Sequence, residues 1–347
     1  IFDCERMKYA DTGLYHYCLN LARSLDLCRD TGLEELFFYA PPSAAPVLQS
    51  PNIIEQNPLH KFLMPSLKGF QIWHATYQGT QYMPFLNKRI KLVLTIHDLN
   101  FLYDEKKPEG KKKKYLKQLQ TLIDRSSALI FVSEFTQQDV MKHCYTGNKP
   151  SFLIHNGNNA LDEPSLSSGS YQPRKPFLFS IGVINRKKNF HVLLPLVKDG
   201  DLELVIAGKI DDVQYHSFIK DNASRIGVED KVHILGAVTE NEKAWYFKNC
   251  SAFTLPSISE GFGLPVVEAM SMGKPLFLSN RTALPEIGGD VSFYFNNFEE
   301  AHMQEVLAQG MMEYNKNGLA KKITDRGRIF CWQKAARQYW EVYRSLY

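Results

Sequence analysis

The sequence predicts an α/β protein with two doubly wound domains, each built around a parallel sheet. The chain has 347 residues, more than a single hydrophobic core usually serves. Short apolar runs alternate with segments of helical spacing along its length. These runs are almost continuously apolar, which is typical of strands that are buried on both faces of a parallel sheet.

Composition and charge narrow the class of protein. The chain is 44% hydrophobic and 22% charged, which is ordinary for a soluble globular protein. A net charge of +4 is too small to indicate a nucleic-acid partner. No apolar run is long enough to span a membrane and no signal-peptide pattern is present, so we expect a cytoplasmic protein. Six cysteines without C-x-x-C spacing predict neither a zinc site nor a disulfide framework, which fits a reducing compartment.

The first half predicts strands at residues 1–3, 35–39, 71–75, 91–96, 128–132 and 151–155, with a loop-rich connection between 41 and 66. A helix is predicted to begin at Thr12 and Gly13, directly after the first strand. A strand end, a small-residue loop and a helix start often bind phosphate in α/β folds. A simple helix cap by Thr12 is the equally weighted alternative.

A Ser-, Pro- and Gly-rich stretch at residues 161–176 fits an interdomain linker. We therefore predict a first domain over residues 1–167 and a second over 168–329. The second half predicts strands at residues 177–181, 202–207, 232–235, 252–255, 276–279 and 292–295. The tail from residue 328 to 347 is predicted to be one long aromatic helix.

The stretch from residue 254 to 273 combines a strand end, a glycine-containing loop and a helix. Pro265 suits a helix start and Gly273 a helix end. Glu260 then lies in the loop and Glu268 in the first turn of the helix. The predicted anion site uses the backbone N–H groups at this helix start, where the dipole favours negative charge, and glycines that permit close approach. Its residues are Gly261, Phe262, Gly263 and Leu264.

Two carboxylates at this spacing resemble the E-x7-E signature of retaining glycosyltransferases of family 4, which have the GT-B fold. The resemblance implies two Rossmann-like domains facing across a cleft, with the last helix, about residues 330–347, crossing back to the first domain. It implies that Glu260 lies by the donor sugar and that Glu268 binds the ribose hydroxyls. The alternative is a plain strand–loop–helix crossover whose glutamates face water.

A second match to the family follows the first strand of the second domain. Lys188 aligns with the lysine that holds the donor diphosphate in the family, and Lys187 stands in place of a common arginine. The chain departs from the family at Val183, where some members have an arginine, so that one phosphate ligand is either missing or supplied by Arg186. Cations directed at a diphosphate offset the charge that grows on the leaving group. Surface charge at a helix start is the alternative, which the helix dipole disfavours.

Glycine-containing turns complete the predicted donor site. In the family the turns at these positions border the phosphates or the base, mostly through backbone contacts. The donor-binding positions implied in this way are Gly13, Gly182, Gly208, Gly236 and Val238.

Side chains at strand ends in the first half are predicted to bind sugars. His97 and Asp98 follow an apolar strand, where open α/β sheets bind ligands. The family places a histidine here against the donor sugar, and Asp98 is expected either to orient His97 or to contribute charge. Tyr77 lies in an aromatic and polar cluster after another strand and is assigned with Asp98 to the acceptor side. Neighbouring Trp73 is expected to be a core residue.

Seven lysines lie between Lys106 and Lys117. They predict either a solvated surface or a patch for anionic lipid headgroups on the inner face of the cell membrane.

The resemblance implies a bacterial, retaining, metal-independent hexosyltransferase with Glu260, His97 and Lys188 as catalytic residues. A nucleoside-diphosphate-sugar is the co-substrate and no cofactor is expected. The pattern favours GDP-mannose, with a UDP-sugar as the alternative, and a glycan or lipid-linked acceptor in cell-surface polysaccharide synthesis. No residue is evident as a covalent nucleophile. A nucleotide-sugar epimerase of GT-B fold and a non-catalytic carbohydrate-binding relative are the competing hypotheses.

Overall fold

The computed structural model describes residues 1–10, 12–159 and 170–347. It divides into two compact units. Unit 1 comprises Ile1–Gly157 with Phe330–Tyr347, and unit 2 comprises Asn158–Ile329. The C-terminal residues thus belong with the first half of the chain, as the GT-B resemblance implies. The predicted boundary between residues 167 and 168 lies outside the described residues.

Within the described residues, unit 1 contains a seven-stranded sheet whose neighbouring strands are all parallel. In chain order the strands are β1 (Phe2–Asp3), β2 (Phe38–Ala40), β3 (Ile53–Glu55), β4 (Ile72–Ala75), β5 (Lys91–Ile96), β6 (Ala128–Phe131) and β7 (Ser151–Leu153). Their order across the sheet is β3-β2-β1-β4-β5-β6-β7.

The described part of unit 2 contains a six-stranded sheet, again with parallel neighbours. Its strands are β8 (Phe177–Ile181), β9 (Glu203–Ala207), β10 (Val232–Gly236), β11 (Ala252–Leu255), β12 (Leu276–Ser279) and β13 (Phe293–Phe295). The order is β10-β9-β8-β11-β12-β13. All six strands predicted for the second half are confirmed, with ends shifted by one residue at most.

Helices connect the strands in both units. In chain order they are α1 (Gly13–Cys28), α2 (Ala45–Leu48), α3 (Glu109–Arg125), α4 (Glu134–His143), α5 (Val213–Arg225), α6 (Glu240–Asn249), α7 (Leu264–Ser271), α8 (Leu284–Gly288), α9 (Glu300–Asn317), α10 (Leu319–Gly327) and α11 (Trp332–Arg344). Among the described residues, no helix has the length and apolar character needed to cross a membrane.

The two faces of the unit 1 sheet are covered differently. On one face, His74 of β4 makes a hydrogen bond of 2.6 Å with the hydroxyl of Tyr343 in α11, and α1 packs beside α11. On the opposite face, Trp73 lies in an apolar cluster with α3 and with two irregular segments, residues 57–70 and 82–90. Trp73 is fully buried there, which confirms it as a core residue.

Two predicted boundaries in unit 1 need correction. The second strand begins at Phe38 rather than at residue 35, and the last helix begins at Trp332 rather than at residue 328. The loop-rich connection contains the edge strand β3. Residues 328–331 separate the last helix from α10, which ends at Gly327. The intervening Phe330 is buried against the ring of His155, with ring centroids 5.7 Å apart, and this packing draws the chain out of the helical path.

Both sheets reverse their strand order beside their first strand. The reversal lies between β1 and β4 in unit 1 and between β8 and β11 in unit 2. The carboxyl ends of parallel strands share one edge, and ligands of open α/β sheets bind outside the point of reversal. The residues that follow these four strands are therefore the candidates for function.

Candidate functional site

A buried ion pair stands at the reversal point of unit 2. Lys188 lies in a short 3-10 turn after β8, and Glu260 lies in the loop after β11. The Nζ atom of Lys188 is 2.6 Å from Oε1 of Glu260, and the two side chains are only 11% and 10% exposed. Two residues that the sequence assigns to the same site, 72 positions apart, are thus in direct contact.

Electrostatics keep Glu260 ionised. Burial alone raises the pKa of this carboxyl, but Lys188 and Lys187 outweigh burial and hold the pKa of Glu260 below its usual value. The backbone N–H of Glu260 also donates to Oγ1 of Thr282, at 2.9 Å. Thr282 follows β12 and has a φ of 54°, which is uncommon for a β-branched residue. No local sequence pattern indicates this contact.

Glu268 is held by a second cationic group. Its Oε1 accepts hydrogen bonds from Nζ of Lys243 at 3.1 Å and from Nδ2 of Asn159 at 2.8 Å. Lys243 also pairs with Glu240, at 2.7 Å. Burial lowers the pKa of Lys243, but Glu268 and Glu240 together raise it above its usual value, so this lysine stays charged.

The helix that carries Glu268 differs slightly from the prediction. It begins at Leu264, with Pro265 second, so Glu268 lies in the second turn and not in the first. Gly263 is the N-cap residue with a φ of 98°, a conformation that glycine adopts without strain. Phe262, Gly263 and Leu264 do lie at the start of the helix, next to Gly261. Their predicted contacts with a diphosphate stay predictions.

The glycines that follow β8 and β9 are packed against each other. A Cβ on Gly208 would lie 1.9 Å from the carbonyl oxygen of Gly182, and a Cβ on Gly182 would lie 2.7 Å from Cε of Lys188. Larger residues at these two positions would displace the lysine or the strand ends. Gly236 ends β10, and Val238 lies between β10 and α6. Their assignment to the base of the donor stays a prediction.

The side chain of Arg186 is directed toward α5. Its guanidinium lies over the rings of Tyr215 and Phe218, with the guanidinium carbon 5.6 and 5.3 Å from the ring centroids. It also lies 4.0 Å from a carboxylate oxygen of Asp212. These contacts join Arg186 to α5, and they lend no support to its predicted role as a phosphate ligand.

In unit 1, His97 follows β5, as predicted, and is buried. Its Nε2 donates to the backbone carbonyl of Thr76, at 2.8 Å. This bond places the proton on Nε2 and leaves Nδ1 as a hydrogen-bond acceptor. Burial lowers the pKa of His97 to about 4, so the ring is neutral at physiological pH. The ring of Tyr17 stands perpendicular to it, with centroids 4.5 Å apart.

Asp98 does not orient the ring of His97. Its Oδ1 accepts from the backbone N–H of Asn100 at 3.0 Å, while Thr76 fixes the imidazole. The side chain of Gln78 ties this loop together, because its Nε2 donates to the carbonyl of Asp98 and its Oε1 accepts from the N–H of His97. The orienting role proposed for Asp98 is therefore wrong, and its place on the acceptor side stays a prediction.

Tyr77 stacks on an arginine that the sequence analysis missed. The guanidinium carbon of Arg6 lies 4.4 Å from the ring centroid of Tyr77 and 4.7 Å from that of Tyr9. Gly79 leaves room for this arrangement, since a Cβ there would lie 2.5 Å from the ring of Tyr77. Arg6 and Tyr77 are 71 positions apart, and no local pattern connects them.

The helix start after β1 is capped by a side chain. Oγ1 of Thr12 accepts from the N–H of Tyr15, at 3.3 Å. The cap interpretation is thus confirmed. Gly13 is the first residue of α1 and is exposed, and its predicted contact with the donor stays a prediction.

Two Rossmann-like parallel sheets, with a buried Lys–Glu pair at the point where the strand order of the second sheet reverses, fit the GT-B fold of glycosyltransferases. Sequence-family comparison agrees: residues 33–160 match the family described as Glycosyltransferase Family 4, and residues 167–328 match Glycosyl transferases group 1. Together these matches extend over most of the chain, which belongs to the family 4 type of GT-B glycosyltransferases. The predicted fold class is confirmed.

The curated relatives share a low sequence identity with this chain. O-antigen chain mannosyltransferase B of Escherichia coli is 25% identical, with an alignment that covers 100% of this chain and 99% of that protein. An MMP alpha-(1->4)-mannosyltransferase of Mycolicibacterium hassiacum is 28% identical over 45% of this chain and 38% of that protein.

Solved structures share the fold. Sucrose-phosphate synthase of Thermosynechococcus elongatus superposes with a TM-score of 0.78 at 16% identity, covering 99% of this chain and 98% of that one. HepE of Anabaena, solved with UDP and glucose, gives a TM-score of 0.75 at 17% identity, with coverage of 99% and 98%. At such identities the likeness establishes the architecture alone.

Proposed function

We propose that the protein is a retaining hexosyltransferase that moves mannose from GDP-mannose to a hydroxyl of a glycan or lipid-linked acceptor. Its product would belong to a bacterial cell-surface polysaccharide such as O-antigen. Two observations support the choice of sugar and pathway: the sequence favours a mannosyl donor, and a relative that aligns along the whole chain is an O-antigen mannosyltransferase. A UDP-sugar donor is the second candidate, because HepE was solved with UDP.

The observation that carries the proposal is the buried pair of Lys188 and Glu260. A lysine held at 2.6 Å from a carboxylate, at the reversal point of a parallel sheet, is placed to exchange part of that contact for phosphate oxygens. Lys187 adds a second positive charge close to Glu260. In this proposal the two lysines and the N-terminus of α7 bind the diphosphate. Glu260 binds the sugar, and Glu268 binds the ribose hydroxyls.

Retention is proposed to occur by substitution on one face of the sugar. The bond between the anomeric carbon and the phosphate oxygen breaks, and the acceptor oxygen attacks from the same side. The departing phosphate oxygen takes the acceptor's proton, so that no covalent intermediate is required. Lys187 and Lys188 offset the charge that develops on that phosphate, and on this basis we propose metal-independent catalysis without a cofactor.

Unit 1 is proposed to supply hydroxyl-binding groups. Nδ1 of His97 is an acceptor on a neutral ring, which suits a sugar hydroxyl better than an imidazolium does. Tyr77 and Asp98 are assigned to the acceptor. We add Arg6, whose guanidinium is fixed between two tyrosine rings and whose buried Nε has no hydrogen-bond partner within the described residues.

A transfer assay tests the proposal. The purified protein is incubated with GDP-mannose or with UDP-sugars and a set of glycan and lipid-linked acceptors, and products are resolved by mass spectrometry and by NMR of the anomeric centre. Transfer with retained configuration is expected, and Glu260→Gln should abolish it. The matched control Lys220→Gln, on the exposed side of α5, should leave it unchanged.

Other outcomes of the assay identify the competing hypotheses. A sugar nucleotide that is isomerised without an acceptor would indicate an epimerase, against which both family matches already argue. Binding of sugars without transfer from any donor would indicate a non-catalytic relative.

We also propose that the reaction takes place in the cytoplasm. All six cysteines are free thiols in the structure, and two of the buried ones, Cys4 and Cys18, lie beside β1 and in α1. Free thiols are typical of a reducing compartment.

A further inference from the structure

Positive charge is concentrated in one stretch of the sequence. Residues 56–123 contain twelve Lys and Arg but only four Asp and Glu, and residues 56–97 contain no acidic residue. The stretch therefore has a net charge of +8, while the whole chain has +4 and the remainder −4. Such segregation indicates an anionic partner for this part of the molecule.

The structure gathers this stretch on one face of unit 1. Helix α3 and the irregular segments 57–70 and 82–90 pack into a common apolar cluster, on the face of the sheet opposite to α11. We call the outer surface formed by α3 and these two segments the basic face.

Large apolar side chains project from the basic face. Phe62 is 86% exposed, Leu63 is 78% exposed and Leu59 is 69% exposed, all in the irregular segment that follows the edge strand β3. Lys61 lies among them and is itself exposed. Leu86, in the other irregular segment, is 94% exposed. Soluble proteins seldom display several large apolar residues side by side unless the surface meets an apolar partner.

The lysines of α3 complete the basic face. Within the described residues, Lys112 pairs with Glu109, whereas exposed lysines on the same helix have no ion pair. These are Lys111, Lys113, Lys114 and Lys117. An unpaired cluster of ammonium groups is available to anionic lipid headgroups, which attract lysine side chains near the membrane surface.

We propose that the basic face docks this protein on an anionic lipid bilayer. Phe62 and Leu63 enter the interfacial region of the bilayer while the lysines of α3 contact the headgroups. Apolar insertion combined with a polybasic patch gives firmer attachment than either does alone. A second copy of the chain is disfavoured as the occupant, since two faces of the same positive charge repel each other. The inference is independent of the donor and of the transfer reaction.

Vesicle flotation tests the proposal with the full chain and no donor. The vesicles consist of phosphatidylcholine alone or of equal parts of phosphatidylcholine and phosphatidylglycerol. The wild type is expected to float with the anionic vesicles, to remain unbound with the neutral ones, and to be released by high salt.

Two pairs of variants separate the apolar and ionic contributions. Phe62→Ser with Leu63→Ser should abolish flotation, whereas Leu33→Ser, at a position also 86% exposed but in the turn after α1, should not. Replacing the four unpaired lysines of α3 with Gln should weaken binding at least about tenfold. The same four-charge change at exposed unit 2 lysines should leave binding unaltered. Those control positions are Lys220, Lys248, Lys321 and Lys322.

A spectroscopic variant tests the same contact without depending on loss of binding. The indole introduced by Phe62→Trp should shift its emission to shorter wavelength when anionic vesicles are added. The proposal is overturned if the wild type does not bind anionic vesicles, or if both variants of the basic face bind as the wild type does. It is also overturned if Phe62→Ser with Leu63→Ser converts a wild-type dimer into a monomer in solution, since the patch would then join two copies.

Discussion

Units 1 and 2 share a strand order around their first strand, yet they carry different chemistry at the carboxyl ends of their strands. In unit 2, Lys188 and Glu260 form a buried pair, and Lys188 helps to hold the pKa of Glu260 below its usual value. In unit 1, burial raises the pKa of Asp3 to about 8 and lowers that of His97 to about 4, so both groups are predominantly neutral at pH 7.

If the proposed function holds, the fold fixes where a ligand binds, whereas side-chain pairing decides what kind of ligand it is. Paired charges in unit 2 suit an anionic diphosphate, since the lysine is already desolvated and held in place. Neutral polar groups in unit 1 suit uncharged sugar hydroxyls. Variants in both units test this division.

The largest effect is expected for Lys188→Met, which leaves Glu260 buried without its partner. The free energy of unfolding should fall by about 3 kcal/mol, because an unpaired buried charge is strongly destabilising. Transfer should slow by at least about 100-fold, because the developing phosphate charge loses its cation. Urea denaturation and initial rates measure the two effects.

A double variant separates stability from chemistry in that experiment. Lys188→Met combined with Glu260→Gln removes both charges, so it should recover most of the stability but none of the activity. Recovery of transfer in the double variant would mean that the pair is structural only. The charges of unit 2 would then have no role in binding a diphosphate.

Asp3→Asn should change how the stability of unit 1 depends on pH. The folded state holds a proton on Asp3 up to about pH 8, whereas the unfolded chain releases it near 3.8. Between these values the native state binds more protons, so wild-type stability falls as pH rises, by up to roughly 1.4 kcal/mol per pH unit. In Asp3→Asn the free energy of unfolding should no longer fall with pH in this range. The amide oxygen of the new side chain can still accept the hydrogen bond from the N–H of Glu5.

Chemical denaturation of wild type and Asp3→Asn at several pH values measures the effect. The variant should be the more stable protein at pH 8, and the difference should shrink toward pH 4. Parallel pH profiles for the two proteins would show that Asp3 is ionised in the folded state and that unit 1 is not the neutral counterpart of unit 2.

Lys243→Met should weaken donor binding by about tenfold, because Glu268 loses one of the two groups that hold its carboxylate. The raised pKa of Lys243 means that its contribution to stability is complete below pH 10.5 and is lost only as pH rises further. Isothermal titration with nucleoside diphosphates measures the affinity. Lys248→Met, an exposed change on the same helix, is the control and should bind normally.

The smallest effect is expected from the pH dependence of His97. Because burial holds the pKa of His97 at about 4, the rate of transfer should show no step near pH 6.5, where an ordinary histidine titrates. His97→Asn should lower the rate by about tenfold through one lost hydrogen bond, with an unchanged profile shape. If the variant removes a step near pH 6.5, the ring carries a proton during the reaction.

Much of this architecture could be predicted from the sequence. The strands of unit 2 are short, apolar and bounded by turns, so their positions follow from local pattern. The resemblance to family 4 glycosyltransferases identifies Glu260 and Lys188, and both follow strands of one parallel sheet, whose carboxyl ends share one edge. The start of the last helix at Trp332 differs from the predicted residue 328, since burial of Phe330 is a tertiary effect that periodicity does not reveal.

The supporting residues of the site were not predictable in the same way. Lys243 lies three positions after Glu240, which indicates an ordinary surface pair until folding brings Glu268 beside it. Asn159 reaches Glu268 across 109 positions, and Arg6 meets Tyr77 across 71. Such contacts have no local signal, because they depend on how distant loops converge at the sheet edge.

The most direct test of the account is donor binding by unit 2, followed as a thermal shift with GDP, UDP and their sugars. A ligand that binds only the folded state raises Tm by mass action. We predict that one nucleoside diphosphate stabilises the wild type and the control Lys220→Gln, and that Lys188→Met combined with Glu260→Gln loses the shift. If no nucleotide stabilises the wild type at millimolar concentration, or if the double variant responds as the wild type does, the buried pair is not a donor site.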